Sequence, residues 1–319
     1  MPKEEATILK NVISISANGA NTGATFYQKK EFTVLQDAYA IKWIYTNSLL
    51  TDNHYLYLVS SISKTIFGNF EWTNKAGWEK VKKEKIQLPT KNGEIDFEFM
   101  ENFISKIESE RIEKLENYLK VTGLKDFELT ENEKQVLADF ENDQVEFSEF
   151  KIGDLFEKLK TNKLSFKASE LPKEETNTHT IPCLTSSFQN QGLNYFVPKD
   201  NATILKNVIS IPSNSDIYRA YFQSREFTVL SDAYAINWIY NDVSLSKNQY
   251  LFTVPCINKV TDLQIYSYKN KLGGWNIVKN KYLQLPTLND QPNYEIMETL
   301  ISAIQKTVIK DVVLYSEKK

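Results

Sequence analysis

At 319 residues, with 41% hydrophobic and 13% aromatic side chains, the chain is long enough for two domains that each bury a core without disulfides. Its 2 cysteines, Cys183 and Cys256, exclude a disulfide framework or a clustered zinc site and suit the cytoplasm, and both are expected as small buried apolar groups. No apolar run approaches the roughly eighteen residues of a membrane helix, so no membrane partner is expected. The formal charge of −3 conceals a division: residues 1–90 hold 11 basic and 8 acidic side chains, residues 91–150 hold 7 and 17, and residues 151–290 hold 16 and 12. Two mildly basic lobes flank an acidic connector.

Residues 2–18 (PKEEATILKNVISISAN) return as 198–214 (PKDNATILKNVISIPSN), and EFTVLQDAYAIKWIY at 31–45 returns as EFTVLSDAYAINWIY at 226–240. Chance does not produce this, and the chain contains one module twice. Val, Ile, Thr, Tyr and Phe in short runs predict strands. The match resumes at Gly77-Trp78 and Gly274-Trp275, and at Gln87-Leu88-Pro89 and Gln284-Leu285-Pro286. Each copy then enters a helical stretch in which Met100, Ile104, Ile107, Leu115 and Tyr118 correspond to Met297, Ile301, Ile304, Val312 and Tyr315. Steps of three and four residues predict a coiled-coil-like seam through which the helices pair or meet a partner, with Arg111 standing where the second copy has Val308.

Between the modules, Thr130 and Glu133 fit a capping box for a short helix. A block at 147–197 has no counterpart before the first copy; it opens with an apolar turn at 150–156 and continues with a strand at 181–185. The expected architecture is α+β: a first recognition lobe at 1–92, a spacer helix and linker at 93–146, a second lobe at 147–292 and a C-terminal spacer helix at 293–319. A spacer of about 25 residues spans about 37 Å, close to one turn of duplex DNA.

No catalytic signature is present: no Gly-rich phosphate loop, no Gly-x-Ser-x-Gly, no His-Glu-x-x-His. His54 and His179 each stand alone among polar residues and read as exposed loop histidines. No metal or cofactor is expected. Polar stretches follow the matched strand in both copies, with Asn18, Asn21 and Thr22 in the first and Ser213, Asn214, Tyr218 and Arg219 in the second. They differ between near-identical flanks, as binding loops on a rigid frame do, although drifting surface loops differ in the same way. A further loop in the second copy holds Ser186, Ser187, Gln189, Asn190 and Gln191. Asn, Gln and Arg pair with base edges, and Arg219 is the strongest single reader among them. Lys64, Lys160, Lys163 and Lys259 are candidate phosphate contacts. Tyr27, Phe222, Tyr45 and Tyr240 suit a core better than base stacking.

These residues resemble the specificity subunits of Type I restriction–modification systems and the related recognition subunits of Type IIB and Type IIG systems. FKIGDLFEKLK at 150–160 looks like the family's leading segment, and IPCLTSSFQNQGLNYF at 181–196 resembles its Ile-Pro-x-x-Thr-Ser stretch. The stretches at 13–41 and 209–236 resemble its Phe-x-Val and Asp-Ala-Tyr core in both copies. The Leu-Pro pair before a long helix ending in VIKDVVLY also fits. The resemblance implies two target recognition domains, each reading one half of a bipartite site in double-stranded DNA, on antiparallel spacer helices that dock methyltransferase subunits and a restriction subunit. The chain itself would be non-catalytic. Two departures stand out: the first copy lacks the leading segment, and the second replaces an Asn-Gly loop with Asn214-Ser215 and Arg219. Two other readings remain open: an assembly scaffold that self-associates through its helices, and the recognition end of a fused Type IIG enzyme.

Overall fold

The computed structural model describes residues 6–46 and 49–317, so residues 2–5 of the repeat and the last two residues of the expected C-terminal helix lie outside the described residues. The chain divides into two compact units, each of mixed helix and strand. One runs to Thr122 and takes in the chain again from Tyr315; the other is Gly123–Leu314.

In the first unit β1 (Val12–Ser16) lies between β2 (Thr25–Gln28) and β3 (Ala38–Ile41), antiparallel to both. Its β-branched VISIS sequence suits a pleated, covered strand, and Ile13 and Ile15 enter the core. Gly23, on the turn after β1, is required there: its φ is +85°, and a Cβ would sit 3.0 Å from the Ile66 carbonyl oxygen. Helix α1 (Asp52–Ile66) buries Tyr55, Leu58, Ile62 and Ile66, spaced by three and four residues, against the sheet.

His54 is not the exposed loop residue its surroundings suggested. Thr51 is the N-cap of α1, and His54, three residues on, completes the capping box with Nδ1 accepting the Thr51 N–H at 3.2 Å. Its Nε2 lies 3.0 Å from the Phe97 carbonyl oxygen. After a one-turn helix, α2 (Trp78–Val81), the hairpin of β4 (Thr90–Lys91) and β5 (Glu94–Ile95) turns on Asn92 and Gly93, with φ of 53° and 83°. Then comes α3 (Phe97–Thr122), 26 residues long.

The second unit opens with α4 (Glu131–Glu141), started by the expected Thr130/Glu133 capping box. The leading block follows as β6 (Phe147–Lys151), the single turn α5 (Ile152–Leu155) and β7 (Phe156–Lys158), then β8 (Ile181–Leu184) and β9 (Leu193–Val197). Strand β10 (Val208–Pro212) carries the repeated sequence, followed by β11 (Tyr221–Gln223), β12 (Thr228–Val229) and β13 (Ala233–Trp238). The unit closes with α6 (Lys247–Thr261), α7 (Trp275–Val278), the hairpin β14 (Tyr282–Leu288) and β15 (Gln291–Pro292), and α8 (Tyr294–Glu317). Its sheets run β11-β10-β13-β7, β12-β8-β9 and β15-β14-β6. Strand β12 is parallel to β8, and the other pairings are antiparallel.

Corresponding side chains meet in both units. Gln28 Nε2 donates to Ser14 Oγ at 2.9 Å, and Gln223 Nε2 to Ser210 Oγ at 2.9 Å. Tyr27 stacks on Tyr55 with centroids 4.6 Å apart, and Phe222 on Tyr250 at 5.1 Å. Such pairs contribute about 0.5–1.5 kcal/mol beyond their burial, which accounts for an aromatic at both positions. Tyr45 is 63% exposed, outside the core expected for it, while Tyr240 packs against the core of its unit. At the root of each long helix a glutamate grips the preceding helix cap: Glu101 accepts from Thr51 Oγ1 and Asn53 Nδ2, and Glu298 from Ser246 Oγ and Asn248 Nδ2. Both cysteines are free; burial pushes the Cys183 thiol up to about 12 and the Cys256 thiol up to about 11.

The long helices do not bury one continuous stripe. In α8, Met297, Leu300 and Ala303 are buried near the start and Val313 and Ser316 near the end. At 100° per residue Met297 and Val313 lie roughly 160° apart around the axis. Met100 and Leu119 are the buried residues of α3, roughly 100° apart. Of the expected seam, Met100 and Met297 are buried, and Ile104, Leu115 and Ile301 are half-buried. Ile107, Tyr118, Ile304, Val312 and Tyr315 are exposed, and so are Arg111 and Val308. A repeated sequence period marks a single face only when the same neighbour accompanies the helix throughout.

Candidate nucleic-acid interface

The loop between β8 and β9 is the most constrained polar segment of the second unit. Asn190, Gln191 and Gly192 are three successive residues in the left-handed region, with φ of 45°, 56° and 87°. Among the described residues Gln191 is the one left-handed position occupied by neither Gly, Asn nor Asp. Gly192 is favoured there by its φ of +87° and by the Thr185 and Ser187 carbonyl oxygens, which would stand 3.2 and 3.3 Å from a Cβ. The tip is held from below by Gln223, 3% exposed, whose Nε2 donates to the Gln191 carbonyl oxygen at 3.0 Å as well as to Ser210. Thr185 Oγ1 donates to the Gly192 carbonyl, and Ser187 Oγ accepts the Gln189 N–H at 3.1 Å. The backbone is thereby fixed while Gln189, Asn190 and Gln191 remain exposed.

A second loop, after β10, rises beside it. Asp216 accepts the backbone N–H of Tyr268 at 2.9 Å, tying this loop to the α6–α7 connection. The three segments enclose an open cleft of about 690 Å³, lined by Ser186, Ser187, Gln189 and Asn190 from the first loop, Asp216 from the second and Tyr268 from the third. Lys173 and Asp232 also face it, so its charge is mixed. Asp216, Tyr268 and Lys173 were not singled out from the sequence. Tyr268 had a usable signal, since the segment between α6 and α7 differs between the copies as the loop after the repeated strand does.

Other expected readers fall elsewhere. Tyr218 is 1% exposed and packs edge-on against Tyr266 with centroids 6.0 Å apart; it is a core residue that takes the place of the turn built on Gly23 in the first unit. Arg219 is half-exposed, with Nε donating to Asp262 Oδ2 at 2.8 Å, so its guanidinium is aimed by the acid at the C-cap of α6. Ser213 is pinned through its N–H to the Asp232 carbonyl. Asn214 Oδ1 is buried without a hydrogen bond, as is Oδ1 of Asn18, its counterpart in the first unit.

In the first unit Thr22 is 5% exposed and its hydroxyl donates to the Gly19 carbonyl at 2.7 Å, which gives it a structural role within the turn. Asn18 Nδ2 donates to Asp37 Oδ1 at 3.1 Å, and Asn21 is exposed. The lysines do not gather around one loop. Lys160 and Lys163 line two clefts separate from the loop cleft, Lys259 lines an apolar groove below α6, and Lys64 is exposed in the last turn of α1. His179 lies in an exposed loop, its Nδ1 beside the Thr178 hydroxyl. Among the described residues no cluster of three or more His, Cys, Asp or Glu could hold a metal ion, and no helix is long and apolar enough to cross a membrane.

Comparison with known proteins agrees with this layout. The Type I restriction modification DNA specificity domain family matches residues 2–117 and 144–313. The specificity subunit S.BcgI of a Type II restriction enzyme from Heyndrickxia coagulans is 24% identical over 262 residues, 82% of this chain and 69% of that protein. The crystal structure of the S subunit of a Type I restriction–modification system from M. genitalium shares the fold, with a TM-score of 0.56 at 14% identity over 99% of this chain and 80% of that one. Two matched regions covering most of the sequence place this chain in the Type I restriction modification DNA specificity domain family, the non-catalytic DNA-recognition component of restriction–modification systems.

Proposed function

We propose that the chain reads a bipartite target in double-stranded DNA, one half-site per unit, on behalf of methyltransferase and restriction subunits that dock on its long helices. The observation that carries this is the loop cleft of the second unit, where a strained but anchored tip presents Gln189 and Asn190 in the same cleft as Asp216. Strained backbone persists only where its surroundings over-determine it, and Gln223 supplies that constraint. Side chains of this kind discriminate base edges, each good pair by about 1–3 kcal/mol. Lys160 and Lys163, exposed near the leading segment, suit phosphates, which set register and orientation.

The helix faces support the docking part of this reading. Ile304, Val308, Val312 and Tyr315 are 39%, 72%, 37% and 52% exposed and fall within roughly 80° of one another around α8. The same stripe favours a second reading, an assembly scaffold that pairs through its helices without reading DNA. Co-expression with the neighbouring methyltransferase and genome-wide mapping of modified bases separates the two: a bipartite motif is expected, and its absence defeats the reading proposed here. A DNA titration at low and physiological salt adds a second check, because the scaffold shows no sequence preference at either.

A further inference from the structure

Two connections, α1–α2 in the first unit and α6–α7 in the second, carry the same pattern of aromatic residues. Phe70-Glu71-Trp72 stands in one and Tyr266-Ser267-Tyr268 in the other, each leading into an Asn-Lys pair, at 74–75 and at 270–271. The first aromatic of each turns inward: Phe70 is 9% exposed in the core of its unit, and Tyr266 packs against buried Tyr218 and accepts from Lys281 Nζ at 3.0 Å. The second turns outward, with Trp72 68% and Tyr268 50% exposed. Backbone hydrogen bonds close both turns, from the Glu71 N–H to the Asn74 carbonyl at 3.1 Å and from the Ser267 N–H to the Asn270 carbonyl at 2.9 Å. Each connection is also bonded to the loop after the repeated strand of its own unit: the Ala76 N–H donates to the Ala17 carbonyl at 3.1 Å, and the Tyr268 N–H to Asp216 Oδ1 at 2.9 Å. The turns are thus fixed with a large ring held in solvent, where it forgoes the burial such a side chain usually takes.

The charge that follows each ring is concentrated and of one sign. Residues 72–85 hold five lysines and two glutamates, and residues 268–281 hold four lysines and no acid, in a chain whose net charge is −3. Lys75 and Lys83 in the first unit and Lys269 and Lys271 in the second are exposed. Tyr268 also lines the cleft that holds Gln189 and Asn190. We propose that Trp72 and Tyr268 are matched DNA contacts, one in each unit, each ring lying against base and sugar surface in a groove of the duplex while the lysines after it meet phosphate. The proposal rests on DNA recognition by both units and adds to it a pair of residues that bind without reading sequence. An aromatic face accepts any base, so it supplies affinity and leaves discrimination to the polar loops. That division explains why both copies have an aromatic at this place although the loops bonded to it differ. Exposed lysines within a few residues of an exposed ring suit a ligand that sets phosphate beside a base, and both units offer them.

The test uses the full chain purified with its neighbouring methyltransferase and a pool of random-sequence duplexes carrying iododeoxyuridine in place of thymidine. Irradiation should crosslink the peptides that contain Trp72 and Tyr268, as read by mass spectrometry on the unaltered protein. Trp72→Ala and Tyr268→Ala should each weaken binding of the pool about tenfold at low salt and keep the parent's salt slope, because neither removes a charge. Trp72→Phe and Tyr268→Phe should bind within about twofold of the parent, since the ring face is retained. Duplex binding without crosslinks at these two places, or alanine variants that bind as tightly as the parent, overturns the proposal and leaves DNA recognition standing. Loss of the methyltransferase from the Trp72→Ala complex marks a protein contact and also overturns it. No binding of the pool by the parent at low salt overturns both.

Discussion

Gln223 and Gln28 donate to corresponding serines, yet only Gln223 also holds a loop carbonyl. Gln223→Ala is expected to lower stability by about 1–3 kcal/mol in chemical denaturation, because it leaves the Gln191 carbonyl and the buried Ser210 hydroxyl short of a donor. In DNA titrations it should also blur discrimination at the half-site read by the second unit while leaving the other intact. Arg219 is aimed by Asp262, so Arg219→Ala should relax specificity at one base position with the salt dependence unchanged. Uniform weakening across all sequences, with the salt slope reduced by about one, would identify a phosphate contact in its place. The exposed loop position of Asn190 and Gln191 was legible in the sequence because polarity and place between strands agreed. It was not legible for Tyr218, since a tyrosine inside a variable loop reads as a contact until the volume beneath it is seen to be filled by its ring.

Helix α4 is fastened to α8 by one acid. Glu133 is 6% exposed and accepts from Ser302 Oγ at 2.6 Å, from the Thr130 N–H at 2.8 Å and from Lys306 Nζ at 3.1 Å; Lys306 also reaches Asp126 at 3.0 Å. Burial alone would raise the Glu133 carboxyl; the hydrogen bonds from Ser302, Thr130 and Lys306, with the lysine's charge, outweigh it and hold the group at about 2, below its ordinary 4.5. A carboxylate so lowered stabilises the fold above about pH 4.5, and that contribution disappears as pH falls toward 2. Glu133→Gln should therefore lose about 1–3 kcal/mol at neutral pH and show a flatter acid limb in urea midpoints. The Thr130/Glu133 cap was legible from spacing, and its tie to a helix some 170 residues later was not. His54 was misread for a related reason: a histidine completing a capping box carries no sequence mark that separates it from a loop histidine.

At the scale of the molecule, duplication was legible because strands and aromatic pairs recur at fixed offsets. That the block at 147–197 occurs once was visible, but the strands it pairs with, β13 and β14, required the pairings themselves. Amides of β1–β3 are expected to exchange faster than those of β10–β13, as measured by mass spectrometry on the intact chain. Equal protection would show that the extra strands around β10 and β13 contribute little to local stability.

Cys183 is 0% exposed in β8, just before the β8–β9 loop, and its thiol is inert while the β12-β8-β9 sheet stays closed. Cys256 lies in α6, away from that sheet. With no third thiol in the chain, an alkylating reagent becomes a clock: the rate of Cys183 modification counts openings of the loop's foundation, and Cys256 serves as an internal reference in the same sample. Target DNA seated on the loop should slow the first rate and leave the second unchanged, which turns an unreactive side chain into a direct gauge of occupancy.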